Sequence, residues 1–257
     1  MIALRIVLVV MLCALAGCYV STTPEPEIVV PHLIALLQDL NPALRQTAAL
    51  SLGKIASAEA GAGLILALGD ADPLVRQYSA WALGNLGEQA KSEATLALLP
   101  LLEDSAPAVA EAAAQAIGSI GAGPEAIART LTMLRAGSLQ ARRSAISALG
   151  LLESPMAYEG LLNGLLDSDA RVRQGAIVAL AELGERRAVP LVTTRLQHDT
   201  DAGVRTEAAY RLGTLGDESS LAVLRIAAAE DPSEQVRRWA QRAIEALSSL
   251  AAPGSTT

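Results

Sequence analysis

The sequence predicts an all-α fold, a right-handed α-solenoid of about seven antiparallel helix hairpins, and three observations carry that prediction. One sentence recurs along the chain, clearest at Asp70-Ala-Asp-Pro-Leu-Val-Arg-Gln-Tyr-Ser-Ala-Trp-Ala-Leu-Gly-Asn-Leu-Gly87. Its frame position returns at Arg45, Arg76, Ala110, Arg142, Arg173, Arg205 and Arg237, every 31 to 34 residues, which is the period of a repeat array. Hydrophobic residues make up 51% of the chain and aromatics 2%, with no Phe, so the core is built from Ala, Leu, Ile and Val between closely packed thin helices. Each unit is too small to bury its own apolar face and must stack on its neighbours.

In chain order, residues 1–17 read as a secretory signal. Arg5 precedes an apolar run from Ile6 to Leu15 that is shorter than the roughly 20 residues a transmembrane helix needs. Leu15-Ala-Gly-Cys18 closes that run and resembles the lipobox of bacterial lipoproteins. The resemblance implies that Cys18 is acylated and begins the mature chain, and that the protein is anchored in the cell envelope. Tyr19 is not the aspartate of inner-membrane retention, which favours the outer membrane, facing the periplasm. Residues 18–27, with Ser-Thr-Thr-Pro-Glu-Pro-Glu at their centre, form a flexible linker. Cys13 and Cys18 are the two cysteines of the chain, so residues beyond 18 offer no disulfide and no thiolate chemistry.

Residues 28–247 are the array, followed by a disordered tail over 248–257. In the second unit, Glu59 to Leu68 reads as helix A, Gly69 to Asp72 as the turn and Pro73 to Leu86 as helix B. Asp72 stands at the N-cap and Pro73 at the first helical position, where proline costs no hydrogen bond. Val75, Ser79, Ala82, Leu83 and Leu86 form the buried stripe, and Gly87 ends the helix. Pro42, Pro107 and Pro232 repeat the start signal, and Gly121, Gly184 and Gly216 the stop signal. The pattern Asp-x-x-Pro-x-Val-Arg-x-x-Ala-x-x-Ala-Leu-Gly resembles the HEAT family, in the short bacterial form found in phycobilin lyases. That resemblance implies a solenoid with the B helices on its concave side, and says little about activity.

Six residues before each frame position stand Asp39, Asp70, Asp104, Ala136, Asp167, Asp199 and Asp231. If each Arg pairs with the Asp of the following repeat, the pairs are Arg45–Asp70, Arg76–Asp104, Arg142–Asp167, Arg173–Asp199 and Arg205–Asp231. The exceptions Ala110 and Ala136 then face each other. Pairing within repeats would orphan Asp104 and Arg142, and an unpaired, partly buried charge is costly, so the inter-repeat ladder is expected.

Catalytic constellations are missing from the sequence. His32 and His198 lie about five repeats apart, too far to share a metal or a proton relay, and no Ser-His-Asp arrangement can be assembled from them. HEAT-like hydroxylases that bind iron carry paired His-Glu motifs, whereas His32 precedes Leu33 and His198 precedes Asp199. No phosphate-cradling Gly-x-x-x-x-Gly-Lys loop is present, and a net charge of −7 disfavours nucleic acid. What remains is the helix B surface. Tyr78, Trp81, Tyr210 and Trp239 lie in two columns on it, two and five residues after the frame positions, with Tyr158 elsewhere. Aromatics dominate interface hot spots, although these four could instead fill gaps between neighbouring B helices. The expectation is a non-catalytic lipid-anchored scaffold that binds a protein or peptide partner in the envelope, with no metal and no cofactor. The alternative is a lyase-like enzyme or enzyme accessory of the phycobilin lyase type, which the exported compartment disfavours because bilin attachment occurs inside the cell. A third possibility is a structural element of an envelope complex.

Overall fold

The computed structural model describes residues 26–251, so the signal, Cys18 and nearly all of the linker lie outside the described residues. Among the described residues, fourteen α-helices pair into seven hairpins. The A helices are α1 (Pro26–Leu36), α3 (Gly61–Ala67), α5 (Lys91–Leu98), α7 (Pro124–Ala136), α9 (Tyr158–Gly164), α11 (Val189–His198) and α13 (Leu221–Glu230). The B helices are α2 (Pro42–Ile55), α4 (Pro73–Leu86), α6 (Pro107–Ile120), α8 (Leu139–Leu151), α10 (Ala170–Glu182), α12 (Ala202–Leu215) and α14 (Glu234–Ala251). Several A helices open with a short 3₁₀ turn, which shortens α3 against the expected Glu59 to Leu68. The last helix reaches Ala251, so residues 248–251 are helical and not part of the tail.

Local chemistry sets these boundaries. Asp72 caps α4 by accepting from Leu74 N at 2.9 Å and Val75 N at 3.1 Å, and Asp169 and Asp201 do the same for α10 and α12. At the far ends Gly87, Gly121 and Gly184 take positive φ. Gly216 departs from the expectation with φ −66°, an extended residue where a left-handed cap was anticipated. After α8 the same left-handed slot is filled by Glu153, at φ 46°.

Successive B helices pack against one another along the array, whereas successive A helices meet sparsely, which bends the stack toward the B row. The close approach depends on the glycine of Ala-Leu-Gly. A Cβ on Gly84 would lie 3.0 Å from the Ala116 Cα, and one on Gly213 would lie 3.1 Å from the Ala243 Cα. These glycines are spacers between helices, a role distinct from capping.

The turns are joined by charge. Arg45 Nε donates to Asp70 at 2.6 Å, Arg76 to Asp104 at 2.7 Å, Arg142 to Asp167 at 2.8 Å, Arg173 to Asp199 at 2.7 Å and Arg205 to Asp231 at 2.8 Å. Each guanidinium also holds its own turn, as where Arg76 Nη1 donates to the Asp70 carbonyl at 2.8 Å. Each ladder aspartate in turn accepts the backbone N–H two residues on, as Asp70 does from Asp72 at 2.8 Å. A shorter second row runs beside the first, from Gln46 to Asp72 at 3.1 Å and from Arg143 to Asp169 at 2.6 Å. At Ala110 and Ala136 the ladder is interrupted, and the buried core divides near the same place, into a cluster centred on residues 30–126 and another on 127–247.

Arg173→Met leaves the Asp199 carboxylate, 1% exposed, without its cross-repeat partner and is expected to cost about 3–5 kcal/mol. The double change Arg173→Met with Asp199→Leu is expected to cost clearly less, and urea unfolding that finds single and double equal would refute this.

The ladder also sets an acid dependence. Bonds from Arg45 and Arg76 hold the Asp70 and Asp104 carboxyls below the usual carboxylate range, against the opposing effect of burial. For Asp199 and Asp231 burial is the largest influence and pushes upward, yet the arginine and backbone bonds leave both lowered. A depressed folded-state value contributes stability that is complete above the unfolded value of about 3.9 and is lost as pH falls through the folded value. Tm is therefore expected to be level from pH 7 to about 5 with respect to these groups and to drop below about pH 4. Asp104→Asn should flatten that drop, and an unchanged acid limb would refute the assignment.

Candidate functional site: a groove on the B-helix face

The B row is not uniform. Two residues after the frame positions the column reads Thr47, Tyr78, Ala112, Ser144, Gly175, Glu207 and Trp239, and three residues further Leu50, Trp81, Gln115, Ser147, Val178, Tyr210 and Arg242. In the fourth and fifth repeats both columns carry small side chains, and there the surface sinks into an open groove of about 800 Å³. Its floor is Ser144, Ser147, Gly150, Gly175, Val178 and Ala179, and exposed Leu151 offers an apolar anchor.

Helix geometry explains the depression. A Cβ on Gly150 would lie 3.1 Å from the Ala179 Cβ and one on Gly175 2.9 Å from Ile146 Cγ2, so α8 and α10 pack with little projecting between them. The rim carries Glu111 from α6, Gln140 and Arg143 from α8, Glu153 just beyond α8, and Arg171, Gln174 and Glu182 from α10. Arg143 is fixed by Asp169, whose bond raises the guanidinium pKa, and Asp169 is lowered by the same bond. Glu182 is held by Arg211 of α12 at 2.5 Å. Arg171, Glu111 and Glu153 are exposed, so the groove offers charge of both signs beside an apolar anchor. That arrangement suits a peptide segment of mixed character.

The four aromatics flank this groove and do not line it. The Trp81 ring occupies the space over Gly53, where a Cβ would collide with it, and Tyr78 packs on the core, so both fill gaps between helices. Trp81 keeps 36% of its surface exposed. Tyr210 and Trp239 meet edge to face at 4.8 Å, with Arg242 over the Trp239 ring at 4.8 Å and Arg211 over Tyr210 at 5.1 Å. Sequence reasoning missed the groove because it weighed large side chains; the signal was the run of small residues in the same two columns.

Neither histidine belongs to the site. His32 Nδ1 lies 2.9 Å from the Ile28 carbonyl on α1, and His198 ends α11 beside a separate cleft between the sixth and seventh repeats. Among the described residues no group of three or more His, Cys, Asp and Glu side chains could hold a metal ion.

Glu153→Gly is expected to stabilise the protein by about 0.5–1 kcal/mol, because glycine takes positive φ without the strain a side chain meets there. Calorimetry should show Tm rising by about 2–4 °C. A lower Tm would mean that the Glu153 side chain makes a stabilising contact.

Known proteins place these features in context. Curated relatives include deoxyhypusine hydroxylase of Gallus gallus, 35% identical over 123 residues, which are 48% of this chain and 40% of that protein. Bilin biosynthesis protein PecE of Nostoc sp. is 42% identical over 62 residues, 24% of each chain. The chain thus spans less than half the length of these relatives. Among solved structures, the complex of CpcE and CpcF of phycocyanin lyase from Nostoc sp. matches at 25% identity with TM-score 0.50, over 85% of this chain and 94% of that one. A Kap95p–RanGDP structure matches at 20% identity with TM-score 0.65, over 88% of this chain and 35% of that one, and shows the fold alone.

These relatives correct the expectation of a non-catalytic scaffold. They are named for an enzyme and for bilin biosynthesis, and the sequence reasoning treated missing catalytic groups as evidence against any enzymatic role. Models of HEAT repeats match residues 61–150, 127–210 and 158–245, a further HEAT repeat matches 29–58, and the chain belongs to the HEAT-repeat family.

Proposed function

We propose that this chain is an enzyme accessory of the phycobilin lyase type, one that grips a protein substrate while that substrate is modified. The observation that carries the reading is the groove between α6, α8 and α10, which is of peptide size, has a floor of small side chains and fixes charges of both signs on its rim. The likeness to the phycocyanin lyase structure supports it, because that structure is a complex of two chains. The residues lining the groove include no His and no Cys, and in this reading the reacting groups come from a second chain or from the substrate.

Leu15-Ala-Gly-Cys18 supports lipid attachment at Cys18 and an envelope location. In that location the substrate is an envelope protein, and the likeness to lyases concerns the use of a HEAT array on a protein substrate, not the bilin.

The test fills the groove. In the source bacterium, Ser147→Trp is expected to lower crosslinked recovery of the substrate at least about tenfold and to abolish its modification, read as a mass shift on the substrate by mass spectrometry. The same spectra should show acyl chains on Cys18. A substrate modified to the same extent with the variant would sink the accessory reading, and an unacylated Cys18 would sink the anchor.

A further inference from the structure

Among the described residues the ladder of charge reaches an arginine that meets no carboxylate on its outer edge. Arg237 Nη1 donates to the Asp231 carbonyl at 2.6 Å and the Pro232 carbonyl at 3.2 Å, as Arg205 Nη1 donates to Asp199 at 2.9 Å and Thr200 at 3.4 Å. In five earlier repeats the opposite edge of the guanidinium, Nε and Nη2, donates to both oxygens of an aspartate in the following turn. Arg205 is the nearest example, with Asp231 at 2.8 and 3.0 Å. At Arg237 no carboxylate meets that edge among the described residues. The guanidinium is anchored by its own turn, and its two-pronged edge is left facing outward, already oriented for a planar acceptor.

Charges of both signs surround it. Arg238 and Arg242 flank the site on α14, and Arg238 reaches Glu234 only at 3.8 Å. Exposed Glu230, Glu234 and Glu245 offset these arginines, so what selects a carboxylate is the oriented fork of Arg237 and not a local excess of positive charge.

The end of the array is closed to a further repeat of the same kind. Gln241 and Glu245 stand where α12 carries Ala209 and Gly213, and Gly213 is where the next B helix comes within contact. Gln241 Nε2 bonds Glu245 at 3.1 Å, which makes that face polar as a solenoid cap is. A second copy therefore cannot stack as an eighth repeat, and the turn edge is what stays available.

We infer that Arg237 receives an aspartate carboxylate from a turn of a partner protein docked at the C-terminal edge of the array, reproducing between chains the rung that joins repeats within this one. The site is two repeats beyond the groove, so its failure would leave the groove assignment intact.

The probe is a synthetic peptide of residues 67–75, Ala-Leu-Gly-Asp-Ala-Asp-Pro-Leu-Val, whose Asp70 accepts from Arg45 in this manner. It is titrated into protein with ¹⁵N-labelled arginine and followed at the Arg237 Nε–H signal through the millimolar range. A saturable shift at Arg237 is expected, at least about tenfold weaker with an Asp70→Asn peptide; the Arg237→Lys protein, which keeps the charge and loses the fork, is followed by saturation-transfer NMR on the peptide and is expected to bind at least about tenfold more weakly than the native protein does by the same readout. Circular dichroism checks that the variant is folded. No saturable shift, or shifts shared equally by Arg238 and Arg242 and by both peptides, would overturn the inference. Sedimentation showing self-association that Arg237→Lys abolishes would overturn it too, because the occupant would then be a second copy.

Discussion

The structure depends on a guanidinium fork shared between consecutive turns. Each hairpin taken alone would expose its apolar stripe, and stacking buries it, but apolar contact between Ala- and Leu-rich helices is poorly directional. The fork supplies the direction. Arg173 ties the carbonyls of Asp167 and Ser168 in its own turn to the Asp199 carboxylate in the next, so two turns are held in one register. Burying such a pair is costly, and it is tolerable because nearly every donor and acceptor is used. Asp199 accepts from Arg173, from Arg195 and from the Asp201 N–H, and Arg173 donates at four points. The ladder is best understood as fixing which stacking forms, with net stability coming from the buried apolar area.

The interruption of that ladder is informative for the same reason. Where Ala110 and Ala136 replace the two partners, both charges are absent together, so neither half of a pair is stranded. The junction is left to helix packing between α6 and α8, and the core thins there into two clusters that share only half-buried residues such as Met133 and Leu152. The groove begins at this junction, with Pro107 and Glu111 on one side and α8 on the other. Glu153 sits at its rim in a left-handed slot that glycine fills in three other repeats. The missing rung at one end of α8 and the strained rim residue at its other end are both departures from the repeat grammar, and such departures gather at functional sites more than elsewhere.

Much of the architecture was legible in the sequence because a repeat states its rules several times. Asp72 and Pro73 announced a helix start, and the frame spacing placed Arg142 opposite Asp167. What stayed hidden were features that depend on distance between helices. Gly84 and Gly213 carry no sign of their role in the sequence, and that they are spacers becomes apparent only when Ala116 and Ala243 are seen against them. The second row, Gln46 to Asp72 and Arg143 to Asp169, shares the offset of the first but lacks a constant residue type on the donor side. The groove was invisible to reasoning from prominent side chains, since a depression is written in Ser144, Ser147 and Gly175, residues that draw no notice singly.

The functional misjudgement has a similar origin. Absent histidine pairs and absent triads argue against one kind of enzyme, the kind that carries its reacting groups on its own surface. They say nothing about an array that holds a protein while another chain supplies the chemistry, because positioning alone can contribute many orders of magnitude to a rate. A solenoid suits that role because its surface is long enough to bind substrate at one stretch and a second chain at another, and rigid enough to fix the distance between them. The groove lies between α6 and α10, and the outward edge of Arg237 lies at the start of α14. Between them run two unbroken rungs, Arg173–Asp199 and Arg205–Asp231, so the segment that would hold the two proteins apart is one in which every turn is tied to the next.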